Sequence, residues 1–373
     1  MKKVFFFLLL ICVEVKAQTA DNPAPALNFL KIEPDGRGSA LGLTGAATEP
    51  DNFSIFYNPG KLAMMPSYEY GLSASYVPWV SNLVKGVGMA SAQGFRRLDD
   101  QSAIGLDLRF FSLGKINFKD ETGYDIYSYN PTEYSIGITY SAQLSDYAAV
   151  GISFRYINSR PALGIPYAGV EIKSASAIGG DIGYYYCNIP AGELENYAGG
   201  IFRGGLVLQN LGSKVKYHNA SYAAFQPMNL KAGVSYTLPS QAAEHFFTIS
   251  ADINKLLVPG EPVRDEDGRI ISGKDPVSTS VPAALIESWK YSKSLGAGIG
   301  IEYNYRYNFF LRAGMYYEHP DFSPKQLGTF GIGFRKGIFH VDMSYFTGLN
   351  QKTGANYQSQ TFKISLGLQM TRQ

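Results

Sequence analysis

TFKISLGLQMTRQ, residues 361–373, is the stretch on which the reading of the whole chain turns. Phe362, Ile364, Leu366, Leu368 and Met370 occupy every second position, with Lys363, Ser365, Gly367 and Gln369 between them. Successive side chains of a strand point to opposite faces, so this segment has one wholly apolar face and one small or polar face. The apolar face must lie against either a soluble core or lipid.

The alternation recurs. Tyr68, Tyr70, Leu72, Ala74 and Tyr76 share a face; so do Ile104, Leu106, Leu108 and Phe110, and Tyr134, Ile136, Ile138 and Tyr140. Period-two segments bounded by turn residues predict about fourteen strands, starting near 67, 84, 102, 133, 147, 174, 201, 227, 245, 294, 309, 327, 338 and 359. Long odd-numbered connections alternate with tight even-numbered turns such as RRLDDQ, AQLSD and YRYN; the first and sixth connections depart from this. Outer-membrane barrels sort their loops in this way, long outside and short on the periplasmic side, whereas a soluble sandwich has no reason to. The second face carries small residues and single charges: Asp107, Arg109, Arg155, Asp181, Lys231, Asp252, Glu302, Arg312 and Asp342. That pattern suits a narrow, filled lumen in which arginine and aspartate pair across the interior. The apolar face is therefore assigned to lipid, and the fold class is an all-β transmembrane outer-membrane barrel of about 14 antiparallel strands.

The N-terminus agrees. Residues 1–17 carry two lysines, an apolar run from Val4 to Val13 and a small residue, Ala17, which is the form of a secretory signal too short to span a membrane. Its removal leaves thirty basic and thirty acidic residues, formal net charge 0, with no basic stripe for nucleic acid. Gly (40), Tyr (27) and Phe (23) are abundant and charged residues are only 17%, as such a barrel requires. Cys187 would be the single remaining cysteine, so no internal disulfide can form.

Residues 18–66 do not alternate. They are rich in Gly, Ala and turn residues, with short helical windows and a tight turn at Asn58-Pro59-Gly60. Too apolar for a free linker, the segment is expected to fold into the lumen as a hatch or plug; the plainer alternative is an extension on the periplasmic rim. Residues 67–373 form the barrel, and 256–293 its largest loop, ending in VPAALIESWKYSK with Leu285, Ile286 and Trp289 on one side of a short helix. A loop of this length is either a docking surface or disordered.

Chemistry is sparse. His218, His245, His319 and His340 show no metal-binding spacing, and neither a nucleophile elbow nor a phosphate-binding loop occurs. The glycines Gly296, Gly298 and Gly300 resemble half a dinucleotide fingerprint but sit inside a period-two strand. No catalytic residue, metal or cofactor is expected.

Several strings, in order, are specific. FLKIEPDGRGSALGLTGAATEPDNFSIFYNPGKLA, SYVPWVSNLVKGV, LRFFSLGKINFKDETG, NPTEYSIGITYSAQLSDYAAVGISFRYINS, ADINKLLVP and RAGMYYEHP together resemble the PorV family, outer-membrane proteins of the type IX secretion system. The resemblance runs from about Asn28 to the last strand. It implies a FadL-like fourteen-stranded barrel with an N-terminal hatch. It implies a shuttle and adaptor that receives secreted cargo from the translocon subunit through the cargo's C-terminal β domain. The cargo then passes to a sortase-like surface protease that links it to lipopolysaccharide. A lipid A deacylation role proposed for the family finds no nucleophile motif here and is not carried over. The chain departs from the pattern in ending MTRQ rather than in an aromatic residue, and in the charged segment from Arg264 to Lys274.

On the adaptor reading, Asp35, Arg37, Asn58 and Pro59 are the hatch candidates. Pro78 and Trp79, Tyr124 and Tyr127, and Trp289 are candidate partner contacts on extracellular loops, since aromatic residues dominate interfaces; Trp79 could equally be a girdle residue at the membrane surface. Asp107, Arg109, Arg155, Asp181, Asp252, Glu302 and Arg312 are the expected lumen charges. The expected surroundings are protein partners and outer-membrane lipid. The competing functions are a FadL-like channel for a hydrophobic solute, which needs a continuous apolar pocket, and a sister component of the same apparatus.

Overall fold

A computed structural model describes residues 23–65, 68–79, 85–119, 122–161, 166–167, 170–171, 174–190, 199–217, 223–240, 244–267, 269–320, 322–323, 325–349 and 361–371. The signal segment 1–17, residues 18–22 and 66, His218 and the expected starts at 67, 84 and 359 lie outside these. Fourteen antiparallel strands form one closed barrel: β1 (Tyr68–Pro78), β2 (Val87–Arg97), β3 (Ser102–Leu113), β4 (Thr132–Ser145), β5 (Ala148–Arg160), β6 (Ala175–Cys187), β7 (Ile201–Gly212), β8 (Asn229–Pro239), β9 (His245–Leu256), β10 (Leu295–Tyr305), β11 (Phe309–Glu318), β12 (Gln326–Lys336), β13 (Phe339–Gly348) and β14 (Phe362–Thr371). Each pairs with its neighbours in sequence, and β1 closes on β14 with Leu72 opposite Leu368 and Tyr76 opposite Ile364. Closure leaves no unpaired edge, which a sheet in hydrocarbon requires. No helix among the described residues is long and apolar enough to cross a membrane.

The alternation has the consequence expected of it. Leu106 is 60% exposed while its neighbour Asp107 is 2% exposed and Arg109 1%. Ile136, Ile138 and Tyr140 on β4, Ile152 and Phe154 on β5, and Leu366 on β14 continue an outer apolar belt. The 12 residues of β3, at about 3.3 Å each and tilted by about 40°, rise about 30 Å, enough for the apolar band of an outer-membrane barrel. The protein is thus a multi-pass barrel of the outer membrane. The short connections 98–101, 146–147, 306–308 and 337–338 mark one end as periplasmic. Connections 114–131, 213–228 and 257–294 mark the other as extracellular; they include a hairpin (Ile116–Lys119 with Asp125–Tyr129) and the short helix Val281–Glu287.

Residues 26–65 are surrounded by this wall. At the extracellular end Leu27, Phe29, Leu30 and Ile32 cluster with Val77, Val87, Met89, Phe111, Ile157, Ala175, Ala177 and Val215. At the periplasmic end Ile55, Leu62 and Met65 cluster with Phe95 and Ala103, and the Met65 carbonyl accepts from Arg97 Nη1. The segment therefore threads the barrel from mouth to rim before β1 begins. Its local structure follows from caps. Asp35 accepts from the Gly38 N–H to start helix α1 (Gly36–Ala40), and α2 follows at Ser54–Tyr57. Asn58 accepts from Gly60 N–H with Pro59 at the first position of a 3-10 helix, Pro59–Met64, so the expected tight turn is the start of a helical turn.

Candidate functional site

The interior is where the chain concentrates its buried charge. Three clusters hold the threaded segment and the wall together, and each joins residues far apart in sequence.

The first is centred on Glu302 of β10. Arg37 grips its carboxylate with Nε and Nη2, both at 3.1 Å, and Nη1 donates to Asp51 at 3.0 Å and to the Glu49 carbonyl at 3.1 Å. Arg312 of β11 donates to the same carboxylate at 2.6 Å and to Asp342 of β13 at 2.5 Å. Two-pronged guanidinium–carboxylate pairing of this kind fixes orientation as well as energy. The second cluster is on β3, β5, β6 and β7. Arg155 donates to Asp181 at 2.6 Å and to Asn210 at 3.1 Å, and the Asn210 N–H donates to Asp181 at 2.7 Å. Asp107 lies 3.6 Å from Arg109 and 3.8 Å from Arg155, and Arg109 stacks 4.7 Å over the Phe56 ring of the threaded segment. In the third, Asp252 of β9 accepts from the Gly45 and Ala46 N–H groups at 2.8 and 3.0 Å, with Lys231 4.0 Å away.

Asparagines fasten the segment to wall backbone. Asn58 Nδ2 donates to the Ala46 and Tyr184 carbonyls, both at 2.9 Å. Asn52 Nδ2 donates to Leu72 and Leu368, one on each strand of the closing pair, and accepts from Gln369. Pro59 packs so closely on β5 that a Cβ at Gly151 would sit 2.3 Å from its carbonyl carbon. Burial among these groups moves titrations, those of Asp35 and Lys61 among them. Burial, reinforced by neighbouring Asp51, pushes the Asp35 carboxyl up to about 6 despite a 2.6 Å hydrogen bond from Tyr57. Burial also pushes the Lys61 ammonium down to about 8, against the pull of Asp51.

The hatch and lumen candidates named from sequence all fall in this interior. Sequence reasoning missed Lys363, which donates to the Glu33 carbonyl and to Ser39, both at 3.0 Å, although it stands as a lone charge on the inner face of the last strand. It also missed Lys61, Asn52 and Gln369.

The loop candidates separate. Trp79 lies half-buried against the Leu27–Ile32 cluster, next to Pro78 at the mouth. Tyr124 and Tyr127 are exposed on the 116–129 hairpin, with Tyr127 stacked on Tyr129. Trp289 stands apart, against Lys255.

Two cavities among the described residues adjoin the threaded segment. One, of about 60 Å³ on the extracellular side, is lined by Lys31, Glu33, Lys231, Asn254, Glu318 and Lys325 among others; a second, of about 20 Å³, lies beside Arg37, Asp51, His340 and Asp342. Among the described residues no group of His, Cys, Asp or Glu could hold a metal ion.

A family model described as "Type IX secretion system protein PorV" matches residues 16–263. In structure the chain is similar to the P. putida toluene transporter TodX (TM-score 0.53, 12% identity, 91% of this chain and 100% of that one). It is likewise similar to the Ralstonia pickettii toluene transporter TbuX (TM-score 0.50, 11% identity, 91% and 98%). At such identity these two show a shared fold alone, the FadL-like barrel. No curated protein is significantly similar in sequence. The matched family belongs to the type IX secretion system, and the fold is that of these barrels.

Proposed function

From the premise that the chain belongs to the PorV family of type IX secretion system proteins, we propose that it is a secretion adaptor. It receives cargo bearing a C-terminal β domain from the translocon and delivers it to the surface attachment complex with its sortase-like protease. Residues 18–66 serve as a hatch that keeps the lumen shut while partners are handled at the extracellular rim, with Pro78, Trp79, Tyr124 and Tyr127 among the contacts.

The observation that carries this reading is the filling of the lumen. The threaded segment is clamped along its length by charges and backbone hydrogen bonds, and the larger cavity is about 60 Å³ with lysines and carboxylates in its lining. A benzene-sized guest occupies an apolar cavity on the order of 150 Å³. Among the described residues neither of these cavities is of that size or lined by apolar groups alone, which favours the adaptor over the competing reading, a channel for a hydrophobic solute.

The test is a mild-detergent pull-down of the protein from outer membranes with mass spectrometry of what accompanies it. Cargo still carrying a C-terminal β domain, or a large translocon subunit, is the expected result. Recovery should fall at least about tenfold for the variant carrying Tyr124→Ala and Tyr127→Ala, as loss of interface anchors entails. The barrel alone, with a bound apolar ligand, would replace the adaptor reading by the channel.

A further inference from the structure

Lys255 is in an unusual place. On β9 the outward series runs Phe247, Ile249, Ile253, each 55–60% exposed, and Lys255 is the next outward position, directly opposite the lipid-facing Leu295. Yet Lys255 is 4% exposed. It is covered by the end of the 257–294 loop: its Nζ donates to the Tyr291 carbonyl and to Ser294, and it lies 6.0 Å from the centre of the Trp289 ring. The stretch Ser288–Ser294 therefore descends over the outer wall rather than over the mouth.

What it brings there is apolar. Helix α3 (Val281–Glu287) buries Ala284 and packs Leu285 against Leu256, Leu257 and Val258, so Leu285 does not share the side expected for it with Ile286, 75% exposed, and Trp289, in the following turn, 59%. Trp289 lies over Lys255, whose neighbours Ile253 and Leu295 belong to the lipid-facing belt, and Ile286 is exposed one turn before it. Lysines border them. Lys274 and Lys290 share Glu287 at 3.3 and 2.8 Å, Lys293 is exposed, and Lys214 holds the carbonyls of Pro276, Val277 and Thr279. The exposed cations nearest Trp289 in sequence are thus Lys290 and Lys293, with Lys274 reaching the same carboxylate as Lys290.

We propose that Val281–Ser294 is a lipid-seated foot: Ile286 and Trp289 enter the interface of the outer leaflet, and Lys290 and Lys293 meet the anionic phosphate headgroups there. Tryptophan is at home at this depth, and basic residues beside it gain from an anionic surface. Continuity with the lipid-facing belt and the excess of lysine select lipid over a protein occupant. The inference rests on the outer-membrane placement and is independent of the adaptor reading.

The chain contains two tryptophans, so the Trp289 signal is the fluorescence lost in Trp289→Phe. Full-length protein would be reconstituted into phosphatidylglycerol or phosphatidylcholine vesicles containing lipids brominated near the headgroup. The difference signal should be quenched by the brominated lipid and shielded from aqueous iodide. Lys290→Ser and Lys293→Ser should each weaken seating about fivefold in anionic vesicles and hardly at all in zwitterionic ones. A signal reached by iodide and untouched by brominated lipid would overturn the proposal and give this face to solvent or a protein partner. Equal lipid quenching with and without the lysines would remove the headgroup contact from it.

Discussion

Arg37→Ala is the substitution that bears hardest on the proposed hatch. Arg37 makes four hydrogen bonds, two to Glu302 on the wall and two to Asp51 and Glu49 within the segment. Its loss leaves Glu302 to Arg312 alone, in a site where Glu302 is 4% exposed and no water replaces the missing donors freely. Breaking a buried pair by removing one partner costs about 3–5 kcal/mol. At about 1.4 kcal/mol per tenfold, undocking of the segment becomes roughly a thousandfold more frequent. Two readouts separate undocking from unfolding. Planar-bilayer recordings should show openings in the variant where the parent stays closed, and protease should nick residues 23–65 while the barrel keeps its heat-modifiable gel mobility. Combining Arg37→Ala with Glu302→Gln tests the pairing itself, because the second change removes the charge the first strands. The joint cost should fall short of the sum by about 2 kcal/mol. A variant as closed, as protease-resistant and as stable as the parent, or strictly additive costs, would refute the claim that this contact holds the segment.

Two other perturbations have definite signs. The Asp35 carboxyl titrates near 6 in the folded chain against 3.8 unfolded, because burial and Asp51 disfavour its charge. The folded state thus holds the extra proton, and stability is lost as pH rises from about 4 to 6. Relative to Asp35→Asn, the parent should lose about 1–3 kcal/mol between pH 4 and pH 7, measured by urea unfolding in detergent. Gly42 has φ +64°, and a Cβ there would lie 2.3 Å from the Ile299 carbonyl oxygen and 2.4 Å from that of Met315. Gly42→Ala should therefore cost more than about 2 kcal/mol and raise protease access to the segment, whereas a change such as Gly337→Asn in an open periplasmic turn should be nearly silent.

The strands were legible because a period of two is local: each segment declares its own faces, and every strand starts within three residues of its expected position. The assignment of Asp107, Arg109 and Arg155 to the interior followed from the same parity. Which charge meets which did not, because Arg37 and Glu302 are 265 residues apart and come together only when the barrel closes around the segment. Lys61 and Asn52 carried no signal, since their role is set by the carbonyls that the wall happens to present. Trp289 is on the long loop, as its sequence position indicated, but its place over Lys255 could not be read, because sequence does not give the direction in which a long loop leans.

One feature of composition takes on meaning only in the closed barrel. The glycines of the second face looked like tolerance for a narrow lumen. A Cβ on Gly298 would lie 2.1 Å from the Gly42 carbonyl oxygen, one on Gly300 2.5 Å from that of Leu41, and one on Gly314 2.2 Å from the Gly42 nitrogen. Gly205 meets Ala46, and Gly151 meets Pro59, in the same way. The threaded backbone lies against wall backbone at five separate points, and only glycine leaves room for it. A barrel that opened by withdrawing this segment would leave those positions lined by bare peptide groups, Glu302 without Arg37, and Asp252 without the Gly45 and Ala46 N–H groups. The wall is cut to fit the segment, so the seating of the segment is written into the wall's own residues as well as into the segment's.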